Sequence, residues 1–290
     1  MELRELEVQI PTRAGHSLGG TLFLPEGKPV QTIVISSATG MLQKFYRAFS
    51  RHFASRGYAV LTFDYHGIGA SGGKVSELRT NRFDLVHWGS NDQAGAVRYL
   101  KTRYPEAPLT LVTHSIGGQL CGFNAEFANI DRIILVASQS GYWRLYSGWH
   151  KWKLWKFWHV LIPWLTPLFG YFPAKPLGLF ENLPREMALQ WSRWGKHPDY
   201  MMSAEKQEGF HFRQMKMPLL SLSFPGDSLA PPVAVDWLTR QYAQARVTRV
   251  HYTREGKKPG HFGYFRPAFR ETLWEATHRW ITRNEWDSPK

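Results

Sequence analysis

The chain is predicted to fold as an α/β protein, a mostly parallel sheet covered by helices on both faces. Three observations predict it. Short apolar runs alternate with helix-length segments along most of the chain, the pattern of strands joined by helical crossovers. At 290 residues with 43% hydrophobic composition the chain can bury a full core, and α/β folds of this length commonly form one domain. Finally, the side chains best suited to chemistry follow the strand-like runs, where an open parallel sheet gathers its functional groups.

In order, Leu6 to Pro11 and Ser17 to Leu24 read as an opening antiparallel pair, and Gln31 to Ser36 as a buried strand. A helix is predicted from about Gln43 to Arg56. The strand Ala59 to Phe63 then leads into a glycine-rich loop, Asp64 to Gly73. A helix over about Gly89 to Thr102 precedes the strand Leu109 to Thr113, and Arg132 to Ala137 is the next strand. After a long insertion come a strand ending near Asp227, a helix from about Pro232 to Tyr242, a strand over Val247 to Thr253 and a helix from about Arg270 to Arg283. The predicted core is 1–139 and 211–290, with 140–210 as an aromatic-rich, mainly helical cap. No internal repeat, low-complexity tract or interdomain linker interrupts it.

The stretch Leu111-Val112-Thr113-His114-Ser115-Ile116-Gly117-Gly118 places one serine between an apolar run and small residues that can open a helix. On a sharp strand-to-helix turn the hydroxyl projects from the sheet edge, and the Ile116 amide is exposed to hold an oxyanion. The pattern is G-x-S-x-G with Thr113 in the first position, an incomplete match, because a small residue is wanted there. Downstream, Pro225-Gly226-Asp227 ends one strand and Gly260-His261 follows the last. Serine, acid and histidine therefore occur in that order, which differs from the orders in chymotrypsin-like and subtilisin-like enzymes.

On these residues the chain resembles the α/β hydrolases over nearly its whole length. More narrowly, it is similar to a bacterial group of hydrolases near the serine aminopeptidase-like branch. That likeness rests on Ala38-Thr39-Gly40 with Phe45-Tyr46-Arg47, on Phe63-Asp64-Tyr65-His66-Gly67-Ile68-Gly69-Ala70-Ser71, and on Ser140-Gly141-Tyr142-Trp143. The resemblance implies Ser115 as nucleophile, His261 as base and Asp227 as its orienting acid. The second oxyanion amide is expected in the loop after Gln31 to Ser36: Thr39 by the usual count back from Tyr46, Ala38 if that count slips by one. Gly67, Gly69 and Gly72 mimic a dinucleotide fingerprint. Within the resemblance this is a structural turn, with Asp64 holding the loop.

The expected substrate is a small acyl compound, a carboxylic ester with an apolar portion; amide cleavage, acyl transfer and noncatalytic binding on this fold are the alternatives. No cofactor is needed. Twelve histidines occur without H-E-x-x-H or paired Cys/His spacing, so no metal centre is expected, and nucleic-acid binding lacks a motif. The single cysteine, Cys121, reads as packing. The charged Met1 to Glu5 lacks an uninterrupted apolar region, which points to a cytoplasmic protein.

The insertion holds eight of the thirteen tryptophans, and no acid lies between Gly141 and Pro173. In a helix, Trp149, Trp152, Trp155 and Trp158 would spiral around the axis, since three residues fall about 60° short of a turn. Aromatic surface would face more than one direction, covering the site, packing a core or contacting a partner. With Lys151, Lys153 and Lys156 interleaved and a net charge of +13, a solvated basic face is the leading reading, with an acidic substrate or peripheral contact with an anionic membrane as the alternatives.

Overall fold

The computed structural model describes residues 3–72, 75–204, 210–253 and 256–286. Ten strands occur among them: β1 Arg4–Pro11, β2 Ser17–Leu24, β3 Gln31–Ser36, β4 Tyr58–Phe63, β5 Leu109–His114, β6 Arg132–Val136, β7 Tyr171–Phe172, β8 Leu183–Pro184, β9 Pro218–Ser223 and β10 Arg246–His251. Eight form one sheet in the order β1-β2-β4-β3-β5-β6-β9-β10. β1 and β2 pair antiparallel, β2 meets β4 antiparallel, and every pairing from β4 to β10 is parallel. The carboxyl ends of β4, β3, β5, β6, β9 and β10 therefore share one edge of the sheet.

The central strands β4 and β5 are buried along their whole length, because both sheet faces are covered. Alternate residues point to opposite sides. Val34, Leu61, Leu111 and Leu135 pack with Trp88, Val97, Leu100 and Leu120 on one face. Ile33, Ile35, Val60, Val112 and Ile134 pack with Phe49, Phe53, Trp274 and Trp280 on the other. Each fully buried aliphatic side chain contributes about 1.5–3 kcal/mol relative to exposure.

Predicted helices lie close to their expected places, with irregularities that periodicity does not reveal. The second is one rod over 85–103, built from Leu85–His87, a π-helical turn Trp88–Gln93 and Ala94–Arg103. The last, likewise, opens with a π turn at Arg270–Trp274 before Glu275–Arg283. A short helix at Val75–Thr80 follows the glycine-rich loop and was not expected. Gly73, the end of that loop, lies outside the described residues.

Between β6 and β9 the chain is mainly helical: Gly148–Lys156, a π turn Phe157–Leu161, Ile162–Phe169, Arg185–Lys196 and Met201–Ala204. Its buried residues Trp158, Ile162, Met187 and Trp194 join the same apolar cluster as Leu111 and Leu135 of the sheet. The insertion shares the apolar cluster of the body. No helix among the described residues is long and apolar enough to cross a membrane.

Candidate active site

Ser115 sits between β5 and the helix Ile116–Leu120 with φ 53° and ψ −115°. A non-glycine residue holds such a conformation only where the surroundings impose it, at about 1–3 kcal/mol. The imposition comes from close packing. A Cβ at Gly117 would lie 2.5 Å from the Ser36 carbonyl oxygen, and one at Gly118 would lie 2.4 Å from Ser138 Oγ. Thr113, the departure from the small-residue pattern, is accommodated because its hydroxyl donates to the Ile134 carbonyl at 3.1 Å and lies 3.3 Å from Ser138 Oγ.

The turn after β9 places Asp227, and the loop after β10 places His261, at the same sheet edge. His261 Nδ1–H donates to Asp227 Oδ2 at 2.9 Å, with Oδ1 at 3.1 Å. Asp227 Oδ1 also accepts the Leu229 and Ala230 amides at 2.9 and 2.8 Å. The carboxylate is thus held by its own turn, and holds the imidazole with Nε2 left free of Asp227. Ser115, Asp227 and His261 are all buried. The Ser115 hydroxyl lies 3.5 Å from both side-chain polar atoms of Gln139, at the outer limit of a hydrogen bond, while Gln139 itself donates to the Leu229 carbonyl at 3.1 Å.

His114, beside the serine, belongs to a line of hydrogen bonds that sequence reasoning missed. The Ala38 amide donates to Tyr46 Oη at 2.9 Å, Tyr46 O–H donates to His114 Nδ1 at 2.9 Å, and His114 Nε2–H donates to the His261 carbonyl at 2.9 Å. Burial holds the His114 pKa well below the ordinary histidine value, so the neutral ring that this pattern requires is the stable one. A histidine at the end of a wholly buried strand was the available signal. Gln139 carried none.

The same line engages one of the two oxyanion candidates. The Ala38 amide is already given to Tyr46. Among the described residues neither the amide nor the hydroxyl of Thr39 is taken by a protein partner. Ile116 contributes the first amide of its helix, one of those a helix leaves unpaired.

Asp64 and Cys121 lie elsewhere. Asp64 accepts the Gln43 amide at 2.7 Å and the Ala70 amide at 2.9 Å, which ties the glycine-rich loop to the start of the helix following β3. The Cys121 thiol is buried, faces the Gly117 carbonyl at 3.4 Å, and is pushed up to about 12 by burial. From Gly40 a cavity of about 420 Å³ opens between the loop after β3 and residues 175–181, lined by Met41, Leu42, Phe45, Leu179 and Phe180 with Lys44, Lys175 and Glu181 among the polar groups.

A strained serine between strand and helix, with acid and histidine following in that order on a mostly parallel sheet, defines an α/β hydrolase. The family model for the serine aminopeptidases, S33, matches residues 27–191, more than half of the chain. The chain belongs to that family and is an enzyme of the α/β-hydrolase type. Among curated proteins, esterase FrsA of Enterobacter sp. (strain 638) is 39% identical over 71 residues, a match spanning 24% of this chain and 17% of that esterase. Two solved structures share the fold: an esterase from Pyrococcus furiosus (TM-score 0.64, 18% identity, covering 97% of this chain and 91% of that one) and a thermostable carboxyl esterase from Bacillus coagulans (TM-score 0.64, 14% identity, 97% and 99%). An acylaminoacyl peptidase from Pyrococcus horikoshii shares it over all of this chain and 43% of its own, with TM-score 0.62 and 13% identity.

Proposed function

We propose that the protein hydrolyses carboxylic esters through an acyl-enzyme on Ser115. The observation that carries this reading is the left-handed backbone of Ser115, at the same sheet edge as a histidine whose Nδ1 is held by Asp227. In the first half-reaction Ser115 Oγ attacks the ester carbonyl carbon while His261 Nε2 takes its proton. The carbonyl oxygen becomes an oxyanion held by the Ile116 and Thr39 amides. Collapse expels the alcohol, which recovers the proton from His261, and water repeats the sequence to release the acid. Asp227 fixes the ring tautomer and stabilises the imidazolium. Gln139 must turn from Ser115 for the hydroxyl to meet His261. The 420 Å³ cavity that starts at Gly40, the residue after Thr39, takes the apolar portion of the substrate, with 140–210 as the cap.

Labelling with a fluorophosphonate followed by peptide mass mapping tests the assignment. Modification at Ser115, absent in Ser115→Ala, is expected together with turnover of p-nitrophenyl esters. A folded protein that stays unlabelled would return the fold to a binding role. The family's description as serine aminopeptidases favours a second reading, cleavage of aminoacyl amides by the same groups. Aminoacyl p-nitroanilides turned over with higher kcat/KM than any ester of the series would establish it.

A further inference from the structure

Residues 148–169 form one helical rod with a π turn at its centre. It meets the body along a stripe, Leu154, Trp158, Ile162 and Thr166, spaced four residues apart; the last three are buried, and Leu154 packs against the core with Phe157 and Leu165 beside the stripe. Positions two residues away from that stripe stand about 200° around the helix, on the opposite side. There the rod presents Trp152, Lys156, Trp164 and Leu168, flanked by Trp149, Lys153 and Trp155. Trp149, Trp164 and Leu168 are 72%, 74% and 75% exposed. The contrast within the insertion is sharp: Trp158 and Trp194 are buried, and the Trp158 indole donates to the Gly141 carbonyl at 2.9 Å. A row of bare tryptophans is more apolar surface than a water-facing helix ordinarily carries.

Charge says what would cover it. The stretch from Gly141 to Pro173 holds no acid, and among the described residues no carboxylate lies within 4.0 Å of Lys153 or Lys156. Arg144 and Lys151 stand against Trp143, 5.0 and 5.5 Å from its ring centre, so basic groups continue around the near end. We propose that this outer face is a docking surface for an anionic phospholipid bilayer, with the tryptophans at the headgroup boundary and the lysines among the phosphates. Indoles favour the boundary because the ring is apolar and its N–H still finds water or phosphate. The segment lies on the bilayer and does not span it: Lys151, Lys153 and Lys156 break its apolar run, and no helix among the described residues is long and apolar enough to cross a membrane. The rod begins nine residues after Gln139, whose side chain lies against Ser115. Binding to lipid does not require Ser115 to be the nucleophile.

Sedimentation of the full chain with vesicles of phosphatidylcholine, alone or mixed with phosphatidylglycerol, tests this. Binding to the anionic vesicles at least about tenfold tighter at low salt is expected, weakening as salt rises. Trp149→Ala with Trp164→Ala should lower binding to the anionic vesicles about tenfold or more, and Lys153→Gln with Lys156→Gln should remove the preference for them, each with unchanged circular dichroism. No sedimentation with anionic vesicles, equal binding to both compositions, or variants that bind as the parent does would overturn the proposal. So would a parent dimer that the tryptophan variant dissolves, because a second copy would then cover the face.

Discussion

Asp64 and Asp227 occupy comparable places. Each is buried just past the carboxyl end of a sheet strand, and each accepts two backbone amides. They differ in how those amides are shared out. At Asp64 one oxygen serves Gln43 and the other serves Ala70, so the carboxylate joins two segments of chain and is used up. At Asp227 both amides fall on Oδ1 and come from its own turn, which leaves Oδ2 turned to His261. An acid at a strand end becomes a partner for chemistry when its own turn satisfies one oxygen and leaves the other exposed to the site. Spread across two loops, the same group is a brace.

Substitutions that separate the two roles would break or sharpen this contrast. Ser115→Ala sets the scale: ester turnover should fall by several orders of magnitude with the melting temperature unchanged within a few degrees. Asp227→Asn should follow, with kcat down by roughly 10³–10⁴ because the ring loses its charge partner and its tautomer. Asp64→Asn should keep kcat within about tenfold while costing about 1–3 kcal/mol in urea unfolding, since two buried amides lose a charged acceptor. The reverse ranking would exchange the brace for the catalytic acid. Tyr46→Phe removes one hydroxyl from the line between Ala38 and His261; a loss of about 1–2 kcal/mol is expected, with a smaller fall in kcat than Asp227→Asn produces.

Acid provides the least local test. Burial lowers the pKa values of His52, His66 and His87 to about 4 and holds that of His114 well below normal. The unfolded chain takes up these protons below about 6.5 while the folded one does not, so the stability these neutral rings contribute is present above that pH and is lost as pH falls from about 6.5 toward 4. Between pH 7 and pH 5 each of His52, His66 and His87 takes away on the order of 1 kcal/mol after discounting for solvent screening. Asp64 and Asp92, whose carboxyl pKa values burial raises, titrate with opposite sign at the acid end. Urea midpoints should fall between pH 7 and pH 5; a flat profile would mean these rings are better hydrated than their packing implies.

The sheet and the chain order of the site were legible because each depends on local signals: apolar runs, a serine before two glycines, an acid and a histidine after strands. Asp64 could be separated from Asp227 only through the family resemblance, since both follow strands beside glycine. What stayed hidden depends on contacts between distant segments. Nothing near His114 announces Tyr46 or the His261 carbonyl, 68 and 147 residues away in sequence. That the Ala38 amide is engaged likewise depends on a tyrosine hydroxyl eight residues along. The spiral of tryptophans was readable, but which of them turn inward follows from where the sheet lies.

The line from Ala38 through Tyr46 and His114 to His261 begins at an amide, which can only give a hydrogen, and ends at a carbonyl, which can only receive one. Its polarity is therefore locked. No proton can be relayed along it, because every link would have to reverse and neither terminus is able to. It works as an insulated strut: it sets the spacing between the loop after β3 and the loop that carries His261, while leaving the charge state of that histidine to Asp227 and the substrate.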